Sequence, residues 1–408
     1  MPAILIVTAA IFLWGVVSAR LQRADLTAPI VFVAIGWLFA AVGLVAPPLE
    51  AARMFKPLVE FTLVWVLFSD AAGVPLAQVR RDLGRYLRLL AVGLPLSILA
   101  GWALANWFFP GLGIWLALLV GAALAPTDAA LGLPVVTNPA VPVDVRRLIT
   151  VESGLNDGMV TPVVMFAIAG AASAEGVEGA PGLWGALAEL GVGLVVGAGV
   201  GLAGGWALRW TRRRGWAAED FAGIAVLALA VVAYAASLVV HGNGFVAAFC
   251  AGLAFGAVAG RRGPEELVFV EQTSSLVSLL VWLAFGAFAV PTMIDRADLV
   301  LVAYAIASLT LVRMVPVALA CAGSGLDRNT VLFVGWFGPR GLASLVFALL
   351  AVEELGPAAD QAIAIIGGTV LMSVLVHGLS AGPLASRYSR AVTRGGDGPA
   401  PEERQVLG

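Results

Sequence analysis

VESGLNDGMV, residues 151–160, sets Glu152, Ser153, Asn156 and Asp157 at the head of a long apolar run. The next cluster of polar residues, AEGVEG, begins only at residue 174. A charged side chain near mid-membrane costs at least about 2.5–3.5 kcal/mol, so carboxylates there are rare and usually functional. Whether these two stand in a membrane is settled by composition. Of 408 residues, 60% are hydrophobic and only 12% are charged, about half the charged share of a soluble domain. Apolar runs of about 17–25 residues, the length that crosses a bilayer, recur from end to end. The short alternating segments of a β-barrel do not. The fold class is an all-α polytopic membrane protein, and its 48 glycines suit close helix approach in lipid.

Thirteen spans are predicted, at about 3–19, 27–46, 54–75, 87–109, 112–138, 151–173, 183–208, 220–240, 243–259, 268–291, 299–321, 327–350 and 362–386. HGNG at 241–244 is the only break between the eighth and ninth. Basic residues test the count. Nineteen of the 24 follow odd-numbered spans, in clusters such as Arg80, Arg81, Arg85 and Arg88, or Arg209, Arg212, Arg213 and Arg214. Only Arg53, Lys56 and Arg296 follow even-numbered ones. By the positive-inside rule this places the C-terminus in the cytoplasm and the N-terminus outside the cell membrane. The first run has no charged leader or A-x-A site and reads as a retained helix rather than a signal peptide. Residues 1–389 form one membrane domain. The stretch 390–408, ending TRGGDGPAPEERQVLG, reads as a short disordered cytoplasmic tail. Cys250 and Cys321 lie in apolar runs and read as packing residues, not as a disulfide framework.

Two spans are interrupted. The fifth carries AALAPTDAALGLP (122–134) and the twelfth GWFGPRGLAS (335–344). Paired Gly/Pro-broken spans in corresponding halves point to a transporter binding site. Their separation of seven spans suits two six-helix repeats joined by the seventh span. Being odd, it makes the repeats inverted.

The charges well inside spans are Asp70, Asp128, Glu152, Asp157, Arg313 and Arg340. Asp128 stands at the fifth span's break, where an unwound helix frees backbone carbonyls that can ligate a cation. In the sixth span Ser153 and Asp157 share one helix face, and Glu152 and Asn156 the adjacent one. Ser153 and Asp157 can then serve one ion, while Glu152 needs a cationic partner, Arg313 first and Arg340 second. Asp128 and Asp157 remain without an obvious partner. Coupled carboxylates in such a site titrate as a pair, and each holds a proton or a metal cation but not both well. Asp70 lines the ion path or meets the water interface. His241 and His377 both fall near span ends and read as ordinary interfacial histidines.

PTDAALG (126–132), VESGLNDG (151–158), HGNGFVAAFCAGLAFG (241–256), VRMVPVAL (312–319) and FVGWFGPRGLASLVFAL (333–349) together resemble the NhaP/NHE-type monovalent cation:proton antiporters, in order and through most of the chain. The resemblance implies a homodimer with core helices around 87–173 and 299–386 and dimerisation helices among 1–75 and 183–291. It implies fifth and twelfth spans crossing at their unwound centres, elevator-like alternating access and a part in pH homeostasis. Asp157 becomes the main carboxylate contested by proton and cation, with Thr127, Asp128 and Ser153 completing the cation site. Asn156, the polar residue before it, goes with electroneutral exchange. Glu152 and Arg313 become a structural ion pair, and Arg340 sits at the crossing. Ser69 or Asp70 can hold the third-span acidic position of relatives. The short tail lacks the long regulatory segment of the animal exchangers.

The expected activity is exchange of a monovalent cation, sodium first and lithium or potassium next, for protons. The expected partners are the lipid bilayer, a second copy and the transported ions, with no cofactor, no enzyme activity and no nucleic acid. A potassium efflux protein or channel would more naturally carry a nucleotide-binding domain. An organic-solute transporter binding a carboxylate at helix N-termini would be opposed by the buried acids. An intramembrane hydrolase would use paired aspartates, which here accompany Thr, Ser and Asn in broken helices.

Overall fold

The computed structural model describes residues 2–43, 48–74, 82–129, 131–177, 182–260, 263–295 and 298–394. Among these there is no strand, and the helices fall into thirteen segments. They are α1 (Pro2–Arg23), α2 (Ala28–Ala41), α3 (Pro48–Ala72), α4 (Leu83–Phe108), α5a (Ile114–Ala123) with the short α5b (Leu133–Val136), α6 (Val143–Ala174) and α7 (Gly182–Arg213). There follow α8 (Glu219–Val239), α9 (Gly244–Val258), α10 (Gly263–Ala284, continuing through a π turn into Val290–Asp295) and α11 (Leu299–Ala320). The chain ends with α12a (Arg328–Trp336), α12b (Leu342–Leu355) and α13 (Asp360–Arg394). Among the described residues eight helices are long and apolar enough to cross a membrane, and α2, α5a and α9 are shorter apolar ones.

The predicted spans lie on these segments, and the differences have one cause. Hydropathy marks the part of a helix that suits lipid, not where its hydrogen bonds end. Thus α6 starts at Val143 rather than near 151, because the polar turn VDVRRLIT is already helical. Likewise α13 runs to Arg394, so residues 390–394 of the expected tail are helix, and 395–408 lie outside the described residues. The eighth and ninth spans are separate, with His241 at φ 56° in the turn between them.

Glycines set how closely the helices approach. Gly193, Gly197, Gly201 and Gly205 recur every four residues along one buried stripe of α7. A Cβ on Gly197 or Gly201 would enter the backbone of α9 at Ala247 or Ala251. The opposite side of α9 repeats the device on α3, where Gly252 and Gly256 lie against the backbone at Phe68 and Ala72. In turn α3 lies against α6 at Gly154, whose missing Cβ would stand 3.4 Å from Cβ of Asp70. This stack fixes the depth at which Asp70 meets the ESGLND turn. The apolar interior has two clusters. The larger runs through most of the helices. The smaller gathers Tyr86 and Leu89 of α4, Val145 and Leu148 of α6, Val317 of α11, Phe333 of α12a and Tyr388 of α13.

Candidate ion site at the helix breaks

The chain between α5a and α5b and the chain between α12a and α12b lie against each other. Pro126 and Pro339 cannot donate a backbone hydrogen bond, and Gly338 and Gly341 around Pro339 and Gly132 beyond Pro126 disfavour helix, so both spans open at mid-length. The Asp128 amide donates to the Pro339 carbonyl at 2.8 Å. The Leu342 amide, first in α12b, donates to Oδ2 of Asp128 at 3.2 Å. Nη1 of buried Arg340 donates to the carbonyls of Ala125 at 2.8 Å and Pro126 at 3.1 Å, just beyond α5a. Unpaired N–H groups make a helix N-terminus positive, and unpaired carbonyls make a C-terminus negative. Each break therefore lends the other the charge its helix end lacks. Gly341 has no side chain because the Asp128 carboxyl group occupies that place. Two of the carbonyls freed at this break are thus held by a guanidinium.

Three neutral residues join the fifth-span break to α6. The Thr127 amide donates to Oδ1 of Asn156 at 3.3 Å, and Nδ2 of Asn156 donates to Oγ1 of Thr127 at 2.8 Å. Thr127 Oγ1 and Ser153 Oγ lie 2.9 Å apart. The expected division of α6 into a Ser153/Asp157 face and a Glu152/Asn156 face therefore does not describe this contact. Three residues apart also share a helix face, and Asn156 joins Ser153 on Thr127.

Asp157 is buried, and its Oδ1 has no hydrogen-bond partner. The acids that act on it electrostatically are Asp70 and Asp128. Asp70 is half-buried against Gly154, one helical turn before Gly158, whereas the Ser69 hydroxyl turns back to the Val66 carbonyl of its own helix at 3.2 Å. Of the two third-span candidates, Asp70 is the one whose side chain lies against Gly154 of α6. Among the described residues no group of three His, Cys, Asp or Glu is placed to hold a resident metal. The oxygens here come mostly from amide, hydroxyl and separate carboxyl groups.

Glu152 faces away from this cluster and meets Arg313 in a buried, two-pronged pair, Nη1 to Oε1 at 2.6 Å and Nη2 to Oε2 at 2.9 Å. Arg–carboxylate forks of this kind are strong and directional. The Arg313 stem crosses Gly338, where a side chain would also meet Thr127. The pair therefore braces α6 and α11 beside the break of α12.

Sequence reasoning missed part of the site. His377 is fully buried in the middle of α13, not interfacial, since the helix extends well past the predicted end of its span. With Ser373 one turn earlier, it contacts both sides of the α12 break. The signal available was the Ser–His spacing of four on one apolar helix.

Several known proteins are similar to this chain in sequence or in fold. The K(+)/H(+) antiporter NhaP2 of Shewanella sp. (strain MR-4) is 28% identical over 78% of this chain and 55% of its own length. The K(+)/H(+) antiporter NhaP of Alkalimonas amylolytica is 24% identical over 93% of this chain and 66% of its own. The chain thus spans about half to two thirds of the length of these relatives. In fold it matches the sodium proton antiporter MjNhaP1 from Methanocaldococcus jannaschii, with a TM-score of 0.73, 19% identity, and 95% of this chain and 99% of that one covered. A family model described as "Sodium/hydrogen exchanger, transmembrane" matches residues 6–387, both breaks and the ESGLND turn included, so the chain belongs to the sodium/hydrogen exchanger family.

Proposed function

We propose that the protein exchanges a monovalent cation for protons across the cell membrane, with Asp157 as the group for which the two compete. The observation that carries this is the buried Asp157 carboxyl group, one oxygen unpartnered, next to the Thr127–Ser153–Asn156 cluster and the crossed breaks. A buried carboxylate left without a partner is costly, and either a proton or a cation with oxygen ligands removes the cost. In this reading Asp157 binds the ion, Ser153, Thr127 and Asp128 line its seat, and Asp70 stands on its path. Asn156 adds no charge beside Asp157, and by analogy with the family, exchange is taken as one for one. An imposed membrane potential then leaves the rate unchanged in proteoliposomes.

The cation class is monovalent. The relatives named above are named for potassium and the structural neighbour for sodium, and sodium, lithium and potassium are the ions to compare. The core body comprises α4 to α6 and α11 to α13, with α1 to α3 and α7 to α10 as the body that pairs two copies. Supporting this division, the smaller apolar cluster draws its buried residues from α4, α5b and the loop after it, α6, α11, α12a and α13. The two halves form inverted repeats, alternating access moves the core against the other body, and the C-terminus faces the cytoplasm.

Everted vesicles carrying a pH gradient test the reading. Addition of sodium, lithium or potassium should collapse the gradient in wild type and not in Asp157→Asn. Equal traces from the two proteins would refute a competition centred on Asp157.

A further inference from the structure

Breaking α12 leaves polar backbone without helical partners on both sides of the gap, and α13 meets both. On the far side, the Arg340 amide donates to Ser373 Oγ at 2.7 Å. On the near side, His377 Nε2 lies 3.1 Å from the Trp336 carbonyl, the last of α12a. His377 Nδ1 lies 3.1 Å from Ser373 Oγ and 3.2 Å from the Ser373 carbonyl. The Trp336 indole rests on the imidazole, ring centres 5.1 Å apart, and its N–H donates to Ser380 Oγ at 3.1 Å. A carbonyl only accepts, so Nε2 carries the hydrogen. Ser373 Oγ already accepts from Arg340, and its own hydrogen finds an acceptor in the Nδ1 lone pair. The Trp336 carbonyl also accepts from the Gly338 amide at 2.8 Å, and a hydrogen on Nδ1 would find the Ser373 carbonyl; the neutral, Nε2-protonated ring is the form that gives the Ser373 hydroxyl its acceptor in Nδ1.

We propose that Ser373 and His377 are positioning residues for ion exchange: they span the α12 break, fix its width, and so hold Arg340 on α5a and the α12b N-terminus on Asp128. The part that concerns exchange rests on the function proposed above, and the wiring does not. The chain has two histidines, so a His241→Asn variant leaves His377 alone. Nitrogen NMR of histidine-labelled protein in lipid then reads its tautomer without any transport assay. A neutral ring protonated at Nε2 is expected. A ring protonated at Nδ1, or at both nitrogens, overturns the wiring.

Exchange kinetics test the role. His377→Gln keeps a donor for the Trp336 carbonyl, and His377→Asn keeps an acceptor for Ser373. Each should raise the cation KM by about threefold, and His377→Phe, with neither, by about tenfold, the scale of one or two net hydrogen bonds. Ser373→Ala should resemble His377→Asn or Gln and carries the test if the Phe variant does not fold. An unchanged KM in His377→Phe, or in Ser373→Ala should Phe fail to fold, overturns the positioning role. If wild type exchanges no cation, the proposed function falls, and the tautomer still decides the wiring.

Discussion

Two neighbouring acids on α6, five residues apart, have opposite surroundings. Glu152 is locked to Arg313 through both oxygens, whereas Asp157 has an oxygen with no hydrogen-bond partner. Loss of one partner from a buried pair strands the other's charge, at about 3–5 kcal/mol, whereas apolar replacement of both can be neutral. Glu152→Gln should therefore lower the thermal unfolding midpoint in detergent sharply. The double variant Glu152→Leu, Arg313→Met should recover much of that loss. At this scale the sequence was informative where chemistry is expensive. Every buried charge in a membrane must be explained, so Asp128, Glu152, Asp157, Arg313 and Arg340 stood out unaided. Neutral polar residues such as Ser373 cost little and leave no such trace, and the Asn156 contact depended on which of two helix-neighbour spacings meets Thr127.

At the scale of elements, the crossed breaks work as a pair. Asp128 answers the N-terminus of α12b and Arg340 the carbonyls after α5a, so each half-helix end draws a partner from the other broken span. Gly341→Ala puts a methyl group where the Asp128 carboxyl group sits. The helices should still form, because the residue lies outside them. Exchange in vesicles should fall at least tenfold while the unfolding midpoint stays within a few degrees of wild type. Gly and Pro revealed both breaks in the sequence, since these residues act on their own backbone. Which oxygen each freed group would find depended on how two distant segments pack, and no local pattern encodes that. The sequence thus showed that carbonyls are freed at the fifth-span break, but not that a side chain 215 residues away takes the one at 125.

Across the whole molecule, the glycine stripes of α7 and α9 build a tightly interlocked stack, while the second apolar cluster ties the helices that carry the breaks. One polar contact between the α1–α2 turn and α13 is small enough to test. Asp25, in the α1–α2 turn at φ 59°, accepts the Gly382 amide of α13 at 3.1 Å. If the core moves against the other body at this point, the contact parts during the cycle. Asp25→Cys with Gly382→Cys, in a background with Cys250→Ala and Cys321→Ala, should lose exchange on oxidation and regain it on reduction. Full activity in the cross-linked protein would mean that these two points stay together. The number of spans was readable because lipid imposes length and loop charge imposes direction. The proposed grouping of helices into two bodies was not, since it reached the sequence only through family resemblance.

Arg340 is, in chemical terms, a tethered cation already seated on the backbone oxygens of an ion-binding fold. Cutting the tether should leave a hole of known shape and charge preference. An Arg340→Ala protein ought to be inactive in ordinary buffer and to recover part of its exchange when free guanidinium is supplied, with methylammonium, a poor match for a planar fork, restoring less. Saturation of that recovery with guanidinium concentration would measure how firmly the fold grips a charge it never transports.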